Sequence, residues 1–292
     1  MRRIVVMVLL AVLSAVTAAS SAASGGIHLN GNPLLPPLPI IGGPSPDPEP
    51  PPPAPAPRPP PPPPTATPEN RWALVVGVTD YAGRVSDTVG GANDARLVRD
   101  LLLRSGWRAD RIRLLVDREV TGASLSEGLR WLAANSTPET FSFFHYSGHV
   151  KQKNGHEYLW PADSAFVEDT AMVNVLRGIR GTAWTSISAC EAAGFDDGLS
   201  SSRHLFTGSS AVTEKSYEDP RTGYSVWTKF LGDALSSAAN DTNGDGAVTV
   251  EEAFASAAPA ASTYTRNQRP FGPQNPALTG GIGGLRLDSP RI

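Results

Sequence analysis

Twenty of the 28 prolines in this 292-residue chain fall between Pro33 and Pro68, and that run decides where a core can form. Proline has no backbone N–H and a fixed φ, so a tract such as PSPDPEPPPPAPAPRPPPPPP can enter neither a helix interior nor a central strand. Polyproline II is its natural state; at ~3.1 Å per residue the stretch would reach roughly 110 Å. Residues 24–69 are therefore expected to be a disordered, proline-rich spacer. The alternative is a docking site for a proline-binding or envelope partner. Ahead of it, Arg2 and Arg3 precede an apolar stretch from Ile4 to Ala19, and small residues crowd Ala18 to Ala23. That layout predicts an export signal over residues 1–23 and a secreted or periplasmic destination. The apolar stretch falls short of the ~20 residues of a spanning helix, so an N-terminal anchor is the less favoured reading.

The core must then come from residues 70–292, enough for one sizeable α/β domain. Ala73 to Val78 is a continuous apolar run of strand length, as in a strand buried on both faces. Arg111–Val116, Phe141–Tyr146, Trp184–Ala189 and Leu205–Ala211 read as further strands. Between them, Asn93-Asp94 can open a helix with Leu97, Val98, Leu101 and Leu102 on one face. Ser124-x-x-Glu127 resembles a capping box for a helix through Leu132, and another helix is expected from Tyr224 to Ala238. Thr263 to Pro276 reads as a surface loop. Strands alternating with helices predict a mainly parallel central sheet flanked by helices, with the site at the carboxyl ends of the strands. A net charge of −3 gives no electrostatic case for nucleic-acid binding. The single cysteine excludes a disulfide within the chain and a Cys-cluster zinc site.

At two of those strand ends stand His149, after Ser147-Gly148, and Cys190. If the strands are neighbours, both side chains emerge at one edge, where a thiol served by a histidine can attack a carbonyl. WALVVGVTDY from Trp72, GGANDA from Gly90, HYSGH from His145, Ala189-Cys190 with Gly194-Phe195, SSAVTEKSYE from Ser209 and SVWTKFLGDAL from Ser225 occur in this order. Together they resemble caspase-like cysteine peptidases, in the metacaspase and bacterial caspase-homologue branch. The resemblance implies a three-layer sandwich and a cysteine-type endopeptidase acting on peptide or protein substrates without an organic cofactor. It makes Cys190 the nucleophile, His149 the general acid/base, and the backbone N–H groups of Cys190 and Val150 the oxyanion hole.

The same resemblance places Asp94, Ser147 and Ser188 in the substrate pocket. Where Ser188 stands, metacaspases carry an aspartate that pairs with a substrate lysine or arginine; with Asp94 still present, cleavage after Arg or Lys is the expectation. Val150 replaces a usual glycine, and Glu191 puts a negative charge beside the thiol, which raises a cysteine pKa. These departures motivate an alternative: an inactive caspase homologue serving as an exported, calcium-stabilised interaction module. A metal hydrolase built on His145, His149 and His156 is disfavoured, because there is no HExxH and His145 and His149 straddle a strand end. His145, on the strand face of Phe143, reads as a packed residue.

One further motif is independent of the dyad. Asp241-x-Asn243-x-Asp245-Gly246-x5-Glu252 fits the EF-hand loop template. Ca²⁺, structural or activating, would take oxygens from Asp241, Asn243, Asp245, the Ala247 carbonyl, Thr249 and Glu252, with helices expected up to Ala239 and from Glu251 to Ala258.

Overall fold

The computed structural model describes residues 65–288, so the export signal, the anchor alternative and nearly all of the proline spacer lie outside the described residues. Thr65 to Glu69 do not extend the spacer. Ala66 is buried in the core, its carbonyl accepts from Arg71 Nε at 3.1 Å, and Pro68–Asn70 forms a 3-10 turn. The packed domain therefore begins ahead of residue 70.

Its centre is a six-stranded sheet. In chain order the elements are β1 (Arg71–Gly77), α1 (Gly91–Arg104), β2 (Ile112–Val116), α2 (Gly122–Ala134), β3 (Phe141–Ser147), β4 (Val150–Lys153), β5 (His156–Leu159), β6 (Val167–Glu168), α3 (Asp169–Leu176) and β7 (Thr182–Ser188). They continue with β8 (His204–Gly208), β9 (Glu218–Asp219), β10 (Tyr224–Ser225), α4 (Val226–Leu235), α5 (Val250–Asn267) and β11 (Ala277–Thr279). The large sheet runs β11-β8-β7-β3-β1-β2, parallel except for β11 at one edge. Alternation along each strand divides its side chains between two cores. Leu74, Val76, Phe144, Tyr146 and Ile187 pack with Leu125, Leu129 and Leu132 of α2 and Met172, Val173 and Leu176 of α3. Ala73, Val75, Phe141, Phe143 and Trp184 pack on the other face with residues of α1, α4 and α5. This is the expected α/β sandwich of helices, sheet and helices.

Local boundaries depart from expectation for identifiable reasons. The capping box of α2 is formed by Thr121 and Ser124, each side chain bonded to the other's N–H, rather than by Ser124 and Glu127. The helix expected to stop at Ala258 continues through Pro259 to Asn267, absorbing the start of the expected loop. Proline costs one ladder bond, but Val250, Ala253, Ala257, Ala261 and Thr265 form one continuous buried stripe at helical spacing. The helix expected to reach Ala238 ends at Leu235 and is followed by a 3-10 turn, Ala238–Asn240. A small antiparallel sheet, β4-β5-β6, and the β9–β10 pair were not foreseen; their strands are too short to carry a period.

Candidate active site

Strands β3 and β7 are neighbours in exact-pair register, Ser147 opposite Ser188. His149 and Cys190 each lie two residues beyond that last pair, at the same end of the sheet. Both line one cleft of about 220 Å³, together with Gly148, Ser188, Ser216, Tyr217, Glu218 and Ser225. The chain turns out of β3 through Gly148, where a Cβ would sit 2.6 Å from Tyr81 Oη and 3.1 Å from Tyr146 Oη. Only glycine allows that approach, and the approach fixes the next residue. Tyr81 Oη accepts the His149 N–H at 2.6 Å, and Tyr146 Oη donates to the His149 carbonyl at 2.7 Å. Burial pushes both phenols well above their usual pKa, so each stays a neutral hydroxyl.

The imidazole of His149 lies against Tyr81, with ring centroids 4.8 Å apart, and Trp160 lies 6.0 Å off. Its Nε2 is 2.8 Å from the Ser86 carbonyl. A carbonyl can only accept, so Nε2 carries the proton and Nδ1 is the atom left to gain or lose one. Tyr81 closes the WALVVGVTDY motif with no role assigned to it and Ser86 lies outside every motif; both sit in the irregular segment after β1.

Cys190 is half-buried, and its thiol donates a long 3.9 Å contact to the Ser216 carbonyl. Burial is the main cause that raises its pKa; a hydrogen bond with the Ser216 backbone lowers it in part, Glu191 adds to the rise, and Lys215 opposes it. The resting group is thus a thiol in need of a base. Glu191 sits in the left-handed region at φ 54°, its N–H held by the Glu214 carbonyl at 2.7 Å. Exchanging Glu191 for glutamine is expected to lower the thiol pKa and so raise the rate of iodoacetamide alkylation at pH 7. An unchanged or slower rate would remove Glu191 from the thiol's electrostatics.

Backbone accounting bears on the N–H groups of Cys190 and Val150. Around Cys190, the N–H groups of Ala189, Glu191, Ala192, Ala193 and Gly194 donate to Ser209 Oγ, Glu214 O, Ser210 Oγ, Ser210 O and Glu191 O respectively. Among the described residues, none accepts the N–H of Cys190. On the histidine side, Trp160 N–H donates to His149 O at 3.2 Å, which makes Val150 and Leu159 a non-hydrogen-bonded antiparallel pair. The Val150 N–H therefore points away from β5. Val150 is absent from the residues with positive φ, so its position makes no demand for glycine.

Of the residues expected in the substrate pocket, Ser188 lines the cleft, while Asp94 and Ser147 lie beneath its floor. Asp94, in the first turn of α1, is 0% exposed. Its carboxylate accepts from Ser147 Oγ at 2.6 Å and from the Ser225 N–H at 3.1 Å. Desolvation pushes its pKa up to about 7 against the pull of those hydrogen bonds. Ser188 Oγ is buried without a partner. A carboxylate that the sequence reading passed over, Glu218, lines the cleft and caps the start of α1, accepting from the N–H groups of Val89 at 2.6 Å and Gly90 at 2.9 Å.

The three histidines of the metal-hydrolase reading do not meet. His145 is buried among apolar groups with Nδ1 3.3 Å from Ser186 Oγ, and burial pulls its pKa down to about 3. His156, in β5, is instead grouped with Glu168 and Asp169, one ligand atom of each lying within 4.8 Å of the others. This mixed nitrogen and oxygen set, drawn from β5, β6 and α3, is the one such group of His, Cys, Asp or Glu among the described residues. In the 241–252 loop the oxygens are turned to backbone donors. Asp241 accepts from Gly244, Asp245 and Gly246, Asp245 from Ala247, and Glu252 from Thr242, Asn243 and Thr249. Asn243 accepts from Asp245. Gly246 has φ 87°, as the sharp turn at that position demands, and Thr249 caps α5.

A family model described as the caspase domain matches residues 70–276. Metacaspase-1 of Lodderomyces elongisporus is 34% identical over 86 residues, covering 27% of this chain and 19% of that protein. Metacaspase-1 of Cryptococcus neoformans var. neoformans serotype D is 36% identical over 87 residues, again 27% and 19%. The chain thus spans about a fifth of the length of the curated relatives it matches. A crystal structure of a protein from Geobacter sulfurreducens superposes with a TM-score of 0.56 at 13% identity, covering 76% of this chain and all of that one, a likeness of fold alone.

Proposed function

The chain belongs to the caspase-domain family of cysteine peptidases, and on that premise we propose that it is an endopeptidase in which Cys190 and His149 form the catalytic dyad. The observation that carries this is the Ser147–Ser188 register, which delivers both side chains to one cleft. His149 Nδ1 takes the proton from Cys190 Sγ as sulfur attacks the scissile carbonyl. The carbonyl π pair moves onto oxygen, which the N–H groups of Cys190 and Val150 receive. On collapse the C–N bond breaks, and His149 returns the proton to the departing nitrogen. A water then attacks the thioester, giving its proton to His149, and the carboxylate leaves as sulfur regains a proton.

A preference for Arg or Lys before the scissile bond is supported by carboxylates at two depths, Glu218 in the wall and Asp94 below the floor. The test is cleavage of Arg-, Lys- and Asp-terminated reporter peptides by the wild-type and Cys190→Ala chains. The inactive interaction-module reading rests on Ser188, Val150 and Glu191, and a folded wild-type chain that turns over no reporter would favour it. The export signal at 1–23 and a proline spacer ending ahead of Thr65 complete the proposal: an exported peptidase held at a distance from whatever its N-terminal region contacts. N-terminal sequencing of the mature protein checks the cleavage point.

Calcium belongs to the proposal through the 241–252 loop, whose hard oxygen donors suit that ion. Asp241, Asn243, Asp245 and Glu252 would hold it by their side chains. The ion would then replace the N–H donors that now occupy these oxygens, joining the loop to the start of α5. Millimolar Ca²⁺ is expected to raise the melting temperature of the wild type, and Glu252→Gln to abolish the rise. If the rise persists in Glu252→Gln and disappears in Asp169→Asn, the ion sits at His156, Glu168 and Asp169 instead.

A further inference from the structure

β4 begins at the residue after His149, and its free edge continues the catalytic geometry outward. It is an edge strand of the β4-β5-β6 sheet, paired on one side only. Because Val150 and Leu159 form a non-hydrogen-bonded pair, so do Gln152 and Glu157, two residues on. The N–H and C=O groups of Val150 and Gln152 therefore face the unpaired edge, and Lys151, Gln152 and Lys153 are exposed. An edge of this kind is a template for one more strand.

Beside it lies an aromatic patch continuous with the catalytic imidazole. Trp160 is 6.0 Å from the His149 ring and 4.9 Å from Phe166, edge to face; Tyr158 packs on Phe166 at 6.3 Å. Phe166 is 37% exposed, one of three large apolar side chains so exposed among the described residues. Lys151 Nζ lies 5.0 Å over its ring. None of Trp160, Phe166 and Tyr158 lines the cleft that holds Ser188, Cys190 and Glu218.

The chemistry orients these two surfaces. Attack by Cys190 leaves the acyl half of the substrate in the cleft, whereas the amine half departs at His149. We propose that the residues following the scissile bond bind as an added strand on the open edge of β4, with a large apolar side chain seated on Trp160 and Phe166. This deepens the peptidase reading and rests on it. The edge supplies main-chain hydrogen bonds at alternate residues, and the patch supplies a side-chain preference that the cleft residues have no means to set.

The experiment uses the full chain and internally quenched peptides sharing one upstream half that ends in Arg. The leaving halves carry either phenylalanine or glycine at each of the first three positions, and a second series carries a single N-methyl group at each amide of that segment. At one position phenylalanine should raise kcat/KM about tenfold over glycine, as expected for burying an aromatic side chain. N-methylation should cost about tenfold at one amide beyond the scissile bond and little at its immediate neighbour, the alternation a strand requires. Phe166→Ser should collapse the phenylalanine-to-glycine ratio towards one, a ratio that a smaller fraction of folded enzyme does not move. Cys190-dependent cleavage with equal rates for all leaving halves, or an unchanged ratio in Phe166→Ser, overturns the inference and leaves the peptidase reading standing. Absence of Cys190-dependent cleavage on every peptide overturns both.

Discussion

Replacing Cys190 by alanine is expected to lower kcat/KM by at least about 10³-fold on every substrate the wild type cleaves, because the proposed reaction has no attacking atom once Sγ is gone. The effect should be chemical rather than structural. The thiol is half-buried and makes one long contact, to the Ser216 carbonyl. Its removal leaves no buried charge and only a small void, so stability should shift by no more than about 1 kcal/mol. Thermal melts of both chains establish that comparison before rates are read. His149→Ala should fall to a similar floor, since groups acting as one unit do not lose activity additively. What persists comes from the two backbone donors, which neither substitution touches. Activity surviving in Cys190→Ala would reject the thiol mechanism outright.

The parts of this site that were legible in the sequence are those that follow from local pattern. β1 is a continuous apolar run of strand length and β3 and β7 are β-prone runs, and a parallel sheet delivers whatever follows its strands to one edge. His149 and Cys190 follow two of them, and the ordered motifs tie them to one family. Adjacency of β3 and β7 is not legible, because parallel pairing leaves no mark in the sequence of either strand. Tyr81 and Ser86, which position His149, belong to a loop without period, and their partners lie more than sixty positions away. Glu218 was legible as part of a motif but not as a cap for α1, a role that exists only once β9 has been laid beside that helix's start. The length of α5 is hidden for the opposite reason: Pro259 locally favours a stop after Ala258, and the buried stripe of the helix overrides it.

Asp94 lies where the legible and the hidden parts of the site meet, and its substitution should move both stability and specificity. The carboxyl titrates near 7 in the folded chain, raised mainly by burial, against 3.8 in the unfolded one. Between those values the folded state holds the proton and the unfolded state has released it. Stability therefore falls as pH rises from about 4 to about 7 and stays reduced above that. At 1.36 kcal/mol per pKa unit the whole effect is on the order of 4 kcal/mol, a large share of the stability of an ordinary domain. Asp94→Asn cannot ionise, yet its amide oxygen can still accept from Ser147 Oγ or the Ser225 N–H. The variant should therefore lose most of the difference in melting temperature between pH 5 and pH 8, and should be the more stable chain at pH 8. Equal pH slopes in the two chains would show that Asp94 does not titrate in this range. Under the proposed Arg or Lys preference, a cationic substrate side chain in the cleft would favour the ionised carboxyl. The ratio of kcat/KM for Arg over a neutral residue should accordingly increase from pH 6 to pH 8 in the wild type. In Asp94→Asn it should be smaller and flat, with only Glu218 left to attract the cation.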